Sequence, residues 1–190
     1  HNQVYMRKRC PEHGWFEGLI SSDAEAYVAS ARFNKPGSIP LGWSTEVRDG
    51  CPWDCGLCPE HKQHMCVALI EVNSACNLDC PVCFANAGQG FNLTLPEVER
   101  MLDRLIELEG NPEVVQFSGG EPTIHPQILD FVGAAQARGI PHVMINTNGV
   151  RIADDDAFVA ALAELRPSIY LQFDGLQLET HLTLRGRDLR

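Results

Sequence analysis

The chain has 190 residues, of which 44% are hydrophobic, so it can bury the core of one mid-sized domain with a small appendage. Its formal net charge of −10 argues against a sequence-independent nucleic-acid binder, because such a protein needs a basic face. No apolar run approaches the ~18 residues of a membrane-spanning helix, so we expect a soluble, cytoplasmic protein.

The N-terminal region, residues 1–40, lacks a regular pattern, and we predict only one helix there, over 21–33, with a serine as its N-cap. The stretch CPEHG places Cys10 and His13 on a turn, which is half of the ligand set of a zinc or iron knuckle. The alternative is a free surface cysteine beside a solvated histidine, and the sequence favours neither.

From residue 67 onward the pattern becomes regular. Apolar, β-branched runs predict strands and amphipathic runs predict helices, in the order βαβαβαβ. The predicted strands are 67–73, 112–122, 141–149 and 168–175, and the helices are 94–110, 125–139 and 154–167. This order predicts an α/β fold with a parallel sheet and helices outside it. In such a fold the working residues lie at the carboxyl ends of the strands, which here read CNLDCPVC, SGGEP, NTNG and QFDG.

The two ends of the chain suggest a piece of a longer protein, since it starts at His1 and stops on RGRDLR, within a predicted helix. The last ten residues include Arg185, Arg187 and Arg190, which we interpret as a solvated helix face.

Six of the eight cysteines form two triplets with the spacing Cys-x3-Cys-x2-Cys. The triplets are Cys51, Cys55 and Cys58, then Cys76, Cys80 and Cys83. Residues this close in sequence rarely offer relaxed disulfide geometry, and a disulfide scaffold would spread its cysteines along the chain. We therefore expect metal ligation.

The second triplet follows the first predicted strand directly. Its three thiolates can hold three irons of a four-iron cluster, which leaves one iron open to a substrate or cofactor. The alternative is a zinc site with its fourth ligand elsewhere in the chain.

This triplet after the first strand, together with Gly119-Gly120-Glu121-Pro122 after the second, resembles the radical S-adenosylmethionine (radical SAM) enzymes. The resemblance implies a partial (βα)6 TIM-like barrel over 67–190, truncated after about four units. It also implies an irregular N-terminal metal-binding region over 1–40 and an auxiliary iron–sulfur segment over 41–66.

The cofactors implied by the resemblance are a 4Fe–4S cluster on Cys76, Cys80 and Cys83, and SAM bound to its open iron. Reductive cleavage of SAM would give a 5′-deoxyadenosyl radical that takes hydrogen from an unactivated carbon. The implied SAM-binding residues are Phe84, Ser118, Gly119, Gly120, Glu121, Pro122, Asn146, Asn148, Gln172 and Asp174. For the last four, the alternative is ordinary turn chemistry.

The first triplet precedes the first strand, so we interpret it as an auxiliary 4Fe–4S cluster that relays electrons or anchors substrate. Its fourth ligand is open among Cys66, His61, His64 and a residue outside the chain.

The combination of CPEHG with two triplets is similar to the tetraether lipid synthases, a radical SAM subgroup. That similarity implies carbon–carbon coupling of lipid alkyl chains and a mononuclear iron or zinc site that includes Cys10 and His13. The implied partners are a small-molecule or lipid substrate, a reductant such as ferredoxin or flavodoxin, no nucleic acid, and peripheral contact with a membrane. Two alternatives stay open: a radical SAM methylase or other modifying enzyme on a pterin or peptide, and a non-catalytic iron–sulfur electron-transfer protein.

Overall fold

The computed structural model describes residues 2–33, 39–54, 58–59, 65–83, 85, 87–88 and 90–190. Two compact units divide the chain, His1–Ser38 and Ile39–Arg190. No helix among the described residues is both long enough and apolar enough to cross a bilayer.

The first unit is an antiparallel hairpin followed by a short helix. Its strands are β1 (Val4–Cys10) and β2 (Gly14–Ser21), and helix α1 spans Ala24–Ser30. The expectation of an irregular region is therefore wrong. Most residues of both strands are exposed, so the apolar alternation that normally indicates a strand is missing. The N-cap is Asp23 and not a serine, because its carboxylate accepts the first N–H groups of the helix.

The second unit contains a four-stranded parallel sheet in the order β3-β4-β5-β6, as the sequence predicts. The strands are β3 (Ala68–Asn73), β4 (Val114–Gly119), β5 (His142–Thr147) and β6 (Ser168–Leu171). The helices are α2 (Leu95–Glu109), α3 (Ile128–Ala137), α4 (Val150–Asp154), α5 (Asp156–Leu165) and α6 (Leu178–Arg185).

One face of the sheet forms the hydrophobic core with α2, α3 and α5. In β3 the buried residues Ile70 and Val72 alternate with the exposed Leu69 and Glu71. A parallel sheet packed on both faces would show continuous burial, so this alternation marks an open second face. That open face and the strand ends beside it form the candidate site.

Two predicted helices end differently in the structure. The helix predicted over 154–167 is interrupted at Asp155, which accepts the Phe158 N–H and thereby starts a new helix, α5. The last helix, α6, ends at Arg185, because Gly186 adopts a left-handed conformation with φ of 75°. The sequence predicts that RGRDLR lies within a helix, but only its first residue, Arg185, does.

The segment that carries the first triplet docks on the end of α2. The Leu41 and Gly42 N–H groups both donate to the Leu108 carbonyl oxygen. Further along, one carboxylate oxygen of Asp54 accepts three main-chain N–H groups, from residues 48, 49 and 50. These bonds lower the pKa of Asp54 and hold the turn in which Cys51 lies.

Candidate active site at the carboxyl ends of the strands

One pocket collects side chains from the ends of all four parallel strands. The predicted residues that line it are Cys76, Cys80, Cys83, Ser118, Gly119, Gly120, Glu121, Asn146, Asn148 and Gln172. Pro122 lies buried beside it in a short 3-10 turn, Asp174 lies outside its lining, and Phe84 falls outside the described residues. Glu71 and Arg185 line the pocket as well, and the sequence did not predict them.

The cysteine-bearing loop begins at the end of β3 and is bonded to the start of the GGEP turn. The Gly120 N–H donates to the Asn73 carbonyl at 2.9 Å, and the Glu121 N–H donates to the Ala75 carbonyl at 2.8 Å. These two bonds continue the β3–β4 pairing past the strand ends. The loop that carries Cys76 is therefore fixed to the neighbouring strand end.

The two glycines of the turn allow this close approach. A Cβ atom on Gly119 would overlap the Asn73 carbonyl oxygen, and one on Gly120 would overlap the Ala75 carbonyl oxygen. Gly119 also has φ of 139°, which side-chain-bearing residues rarely adopt. The pair is thus required by the packing of the GGEP turn on the cysteine loop.

One thiol of the second triplet, that of Cys76, lies among several acidic groups. Burial raises the pKa of Cys76, and the nearby Glu121 carboxylate and the thiolates of Cys80 and Cys83 raise it further. Bringing these groups together accumulates negative charge, which bound iron would neutralise. In a four-iron cluster each thiolate binds a separate iron, so the three sulfurs need not converge on one point. The donor set and its charge therefore fit such a cluster.

Glu121 is the most heavily bonded side chain of the pocket. It is only 2% exposed, and its carboxylate accepts from the Thr123 N–H and hydroxyl, from the Thr147 hydroxyl at 2.7 Å and from the Asn148 N–H at 2.8 Å. Three of these bonds end on Oε1 and one on Oε2, so of the roughly four acceptor positions of the carboxylate one remains on Oε2. Glu121 thereby joins the end of β4 to the end of β5.

Asn148 connects the end of β5 to the cysteine loop. Its side-chain N–H donates to the Asn77 side-chain oxygen at 2.7 Å, and its own oxygen accepts the Val150 N–H at 3.0 Å. Asn77 lies next to Cys76 in sequence, so the turn after β5 holds the cysteine loop directly. Asn148 therefore makes an ordinary turn bond to Val150 and also contacts the cysteine loop through Asn77.

A second polar chain crosses the pocket from β5 to α6. Gln172 Nε2 contacts Asn146 Oδ1 at 3.5 Å, and Gln172 Oε1 accepts from Arg185 Nη1 at 2.7 Å. Arg185 also forms a two-bond ion pair with Asp174, at 2.5 and 3.0 Å. That pair lowers the pKa of Asp174. The interpretation of Arg185 as part of a solvated helix face is therefore wrong, and its partners could not be read from local sequence because packing supplies them.

The residues proposed for the first triplet are only partly described. Cys58 is buried, Cys51 and Cys66 are exposed, and Cys55, His61 and His64 lie outside the described residues. Within the described part of the chain, no three His, Cys, Asp or Glu residues are placed to hold a single metal ion. The auxiliary cluster stays a prediction.

In the hairpin unit, Cys10 and His13 meet at the turn between β1 and β2. Their Sγ and Nδ1 atoms are 3.3 Å apart. Two donors on one tight turn match half of a structural zinc site, which takes four.

Comparison with known proteins identifies the family. Residues 70–189 match the radical SAM superfamily. The chain belongs to this superfamily. A 4Fe–4S cluster and SAM are the cofactors of the family. Residues 1–22 separately match the HMPTM N-terminal zinc ribbon domain.

Individual relatives of this radical SAM chain differ in substrate. It is 37% identical to the 7,8-dihydro-6-hydroxymethylpterin dimethyltransferase of Methanocaldococcus jannaschii, over 98% of this chain and 37% of that protein. It is also 37% identical to the GTP 3′,8-cyclase of Chlorobaculum tepidum, over 63% of this chain and 36% of that protein. The chain thus spans little more than a third of the length of these relatives.

A solved structure shares the fold. Streptococcus suis SuiB bound to its precursor peptide SuiA superposes with a TM-score of 0.53 at 25% identity, covering 65% of this chain and 28% of SuiB. SuiB bound to S-adenosylmethionine gives a TM-score of 0.52. The predicted α/β partial barrel is confirmed, whereas the tetraether lipid synthase subgroup is not supported. The resemblance to that subgroup depended on cysteine spacings, which do not report on the substrate.

Proposed function

We propose that this chain is the cluster- and SAM-binding part of a radical SAM enzyme that methylates a pterin. The observation that carries the proposal is the share of the chain that aligns with one relative. The pterin dimethyltransferase aligns with 98% of the chain, including the hairpin unit, whereas the cyclase aligns with 63%. Methylation of a pterin is one of the alternatives that the sequence leaves open. It replaces lipid coupling, which depends on the subgroup resemblance alone.

The residues of the pocket divide into those that touch the cofactors and those that support them. When bound, the cluster and SAM supply the radical that removes hydrogen from the substrate. We assign the ligation of the cluster to Cys76, Cys80 and Cys83. The open-face side chains Ser118, Asn146 and Gln172 offer hydroxyl and amide groups suited to the ribose and carboxylate of SAM.

The supporting residues act through main-chain positions. Glu121 fixes the turns after β4 and β5, so the Gly119-Gly120 main chain is held at the pocket wall, where it can accept from the amino group of SAM. Pro122 restricts the same turn, and Asn148 restrains the cysteine loop. Asp174 acts on the pocket through Arg185.

The remaining metal ligands complete the proposal. We assign Cys10 and His13 to a zinc site, supported by the zinc ribbon match over 1–22 and by their 3.3 Å separation. We assign Cys51, Cys55 and Cys58 to an auxiliary cluster, supported by their spacing. A low-potential donor such as ferredoxin or flavodoxin would supply the electron.

The substrate is tested by following hydrogen. The holoprotein is reconstituted anaerobically with iron and sulfide and supplied with SAM, dithionite and 7,8-dihydro-6-hydroxymethylpterin deuterated on its carbon atoms. We expect deuterium in the 5′-deoxyadenosine product, and a pterin product heavier by methyl groups once a methyl donor is present. Deuterium that comes from a labelled lipid chain and not from the pterin would refute the pterin assignment.

Two cysteine variants serve as matched controls for the cofactor assignment. Cys76→Ala removes a ligand of the SAM-binding cluster and is expected to abolish 5′-deoxyadenosine formation. Cys51→Ala removes the same group from the other triplet and is expected to leave SAM cleavage in place. The opposite result would exchange the roles of the two triplets.

A further inference from the structure

The C-terminal end of α6 packs against the loop that holds the second triplet. A Cβ atom placed on Gly186 would lie 3.3 Å from the Asp79 carbonyl oxygen and 3.9 Å from Pro81 Cδ. Asp79 and Pro81 flank Cys80 on either side. The helix end therefore contacts the loop at its central cysteine, and Gly186 keeps this contact close.

Arg185 precedes that glycine and lines the same pocket as Cys80. Its side chain is 17% exposed, so its charge is largely withdrawn from water. The ion pair with Asp174 holds the guanidinium in this pocket, at the end of the helix that packs beside Cys80. The guanidinium and the Cys80 sulfur therefore line one pocket.

The orientation of this guanidinium is set before any cofactor binds. Asp174 takes two of its N–H groups and Gln172 takes a third, so it is held from the end of β6. The remaining N–H donors are available to the sulfur. A fork of donors fixed on one side by a carboxylate can present its other edge in one direction only.

We propose that Arg185 is a positioning residue for the SAM-binding cluster, which holds Cys80 and raises the reduction potential of the cluster through its charge. Hydrogen bonds to cluster sulfurs and nearby charge are principal determinants of such potentials. A cation beside a ligand sulfur favours the reduced form, which carries one more negative charge. The inference requires that the second triplet binds the cluster, as in the proposed function, but it does not depend on the pterin.

The test is a redox titration of the reconstituted cluster in the absence of substrate, followed by electron paramagnetic resonance. Arg185→Gln is expected to shift the midpoint potential to more negative values at equal iron content. Arg185→Lys keeps the positive charge but loses the planar guanidinium. Its midpoint potential is expected to lie between those of Arg185→Gln and the unsubstituted protein. Arg187→Gln removes an exposed arginine two residues away and is expected to leave the potential unchanged.

The outcomes separate this inference from the proposed function. A potential in Arg185→Gln equal to that of the unsubstituted protein would overturn the inference, as would an equal shift in Arg187→Gln. If Arg185→Gln does not fold, Arg185→Met, which also removes the charge, decides the matter, and an unchanged potential in that variant overturns the inference. Failure to abstract hydrogen from the pterin while these shifts occur would refute only the substrate assignment.

Discussion

Replacing Glu121 by glutamine separates a structural role of the GGEP glutamate from a role confined to SAM binding. The carboxylate is buried, and its four bonds come from Thr123, Thr147 and Asn148. Glutamine keeps one oxygen acceptor but turns the other position into an N–H donor. At the Oε2 position that donor would face the Asn148 N–H, and at the Oε1 position it would face the Thr123 N–H, so in either orientation one main-chain N–H loses its acceptor, although the threonine hydroxyls beside Oε1 could turn to accept.

The expected loss of stability follows from two contributions. A hydrogen bond to a charged group contributes about 1.5–3 kcal/mol, and a buried donor left without a partner costs a further ~1–3 kcal/mol. Partial relaxation of the turn reduces the sum, so we expect Glu121→Gln to lower the free energy of unfolding by about 3 kcal/mol. The effect should be present in the protein without cluster or SAM, because all four donors belong to the protein.

The assay is urea unfolding of the iron-free, reduced protein, followed by circular dichroism. Glu71→Gln is the matched control, because Glu71 lines the same pocket but is exposed on the open face of β3. Its substitution is expected to change stability by no more than about 0.5 kcal/mol. Equal stability of Glu121→Gln and the unsubstituted protein, with SAM binding lost, would refute the structural role and favour direct contact with the amino group.

Three further substitutions test the packing and the charges of the fold. Gly120→Ala should sharply reduce iron incorporation, measured by iron and sulfide analysis, because its methyl group would overlap a carbonyl oxygen of the cysteine loop; Gly133→Ala, in open space on α3, should not. Leu102→Ala should lower the free energy of unfolding by about 2–5 kcal/mol, since the side chain is fully buried in the core, and a smaller loss would mean that the cavity collapses. The pKa of Asp174 is lowered by Arg185, so the ion pair stabilises the fold above the usual aspartate pKa of about 4 and is lost as the pH falls through the lower folded value. The difference in urea midpoint between Asp174→Asn and the unsubstituted protein should therefore narrow as the pH falls below about 4, and a gap that stays constant down to acid pH would contradict this assignment.

The sheet and the outline of the site could be predicted from the sequence because both depend on local patterns. Apolar runs between capped helices indicate parallel strands, and the rule that sites lie at the carboxyl ends brings CNLDCPVC and SGGEP together without any coordinates. The N-terminal hairpin escaped prediction because its strands are exposed and carry charged residues at positions where apolar ones would mark a strand. The periodicity of hydrophobic residues reflects which side chains are buried, so it does not reveal a strand whose side chains are mostly exposed.

The bonds within the site could not be predicted, because they join residues far apart in sequence. Glu121 and Asn148 are 27 positions apart, and Asn77 and Asn148 are 71 apart. Arg185 looked like a surface charge for the same reason: its ion-pair partner lies 11 residues earlier, beyond a turn. The residue types and their places at strand ends were sufficient to list candidates but not to say which of them touch the cofactor and which support others.

Several elements around the pocket hold the loop that carries the second triplet. Burial and the nearby Glu121 carboxylate raise the pKa of the Cys76 thiol, and Cys80 lines the same pocket as Arg185. Hydrogen bonds from Gly120 and Asn148, and the close packing of the end of α6 on the loop, restrain the cysteines from three neighbouring elements. Because each of these elements follows a different strand, the order of the sheet itself holds the thiols in position for the cluster.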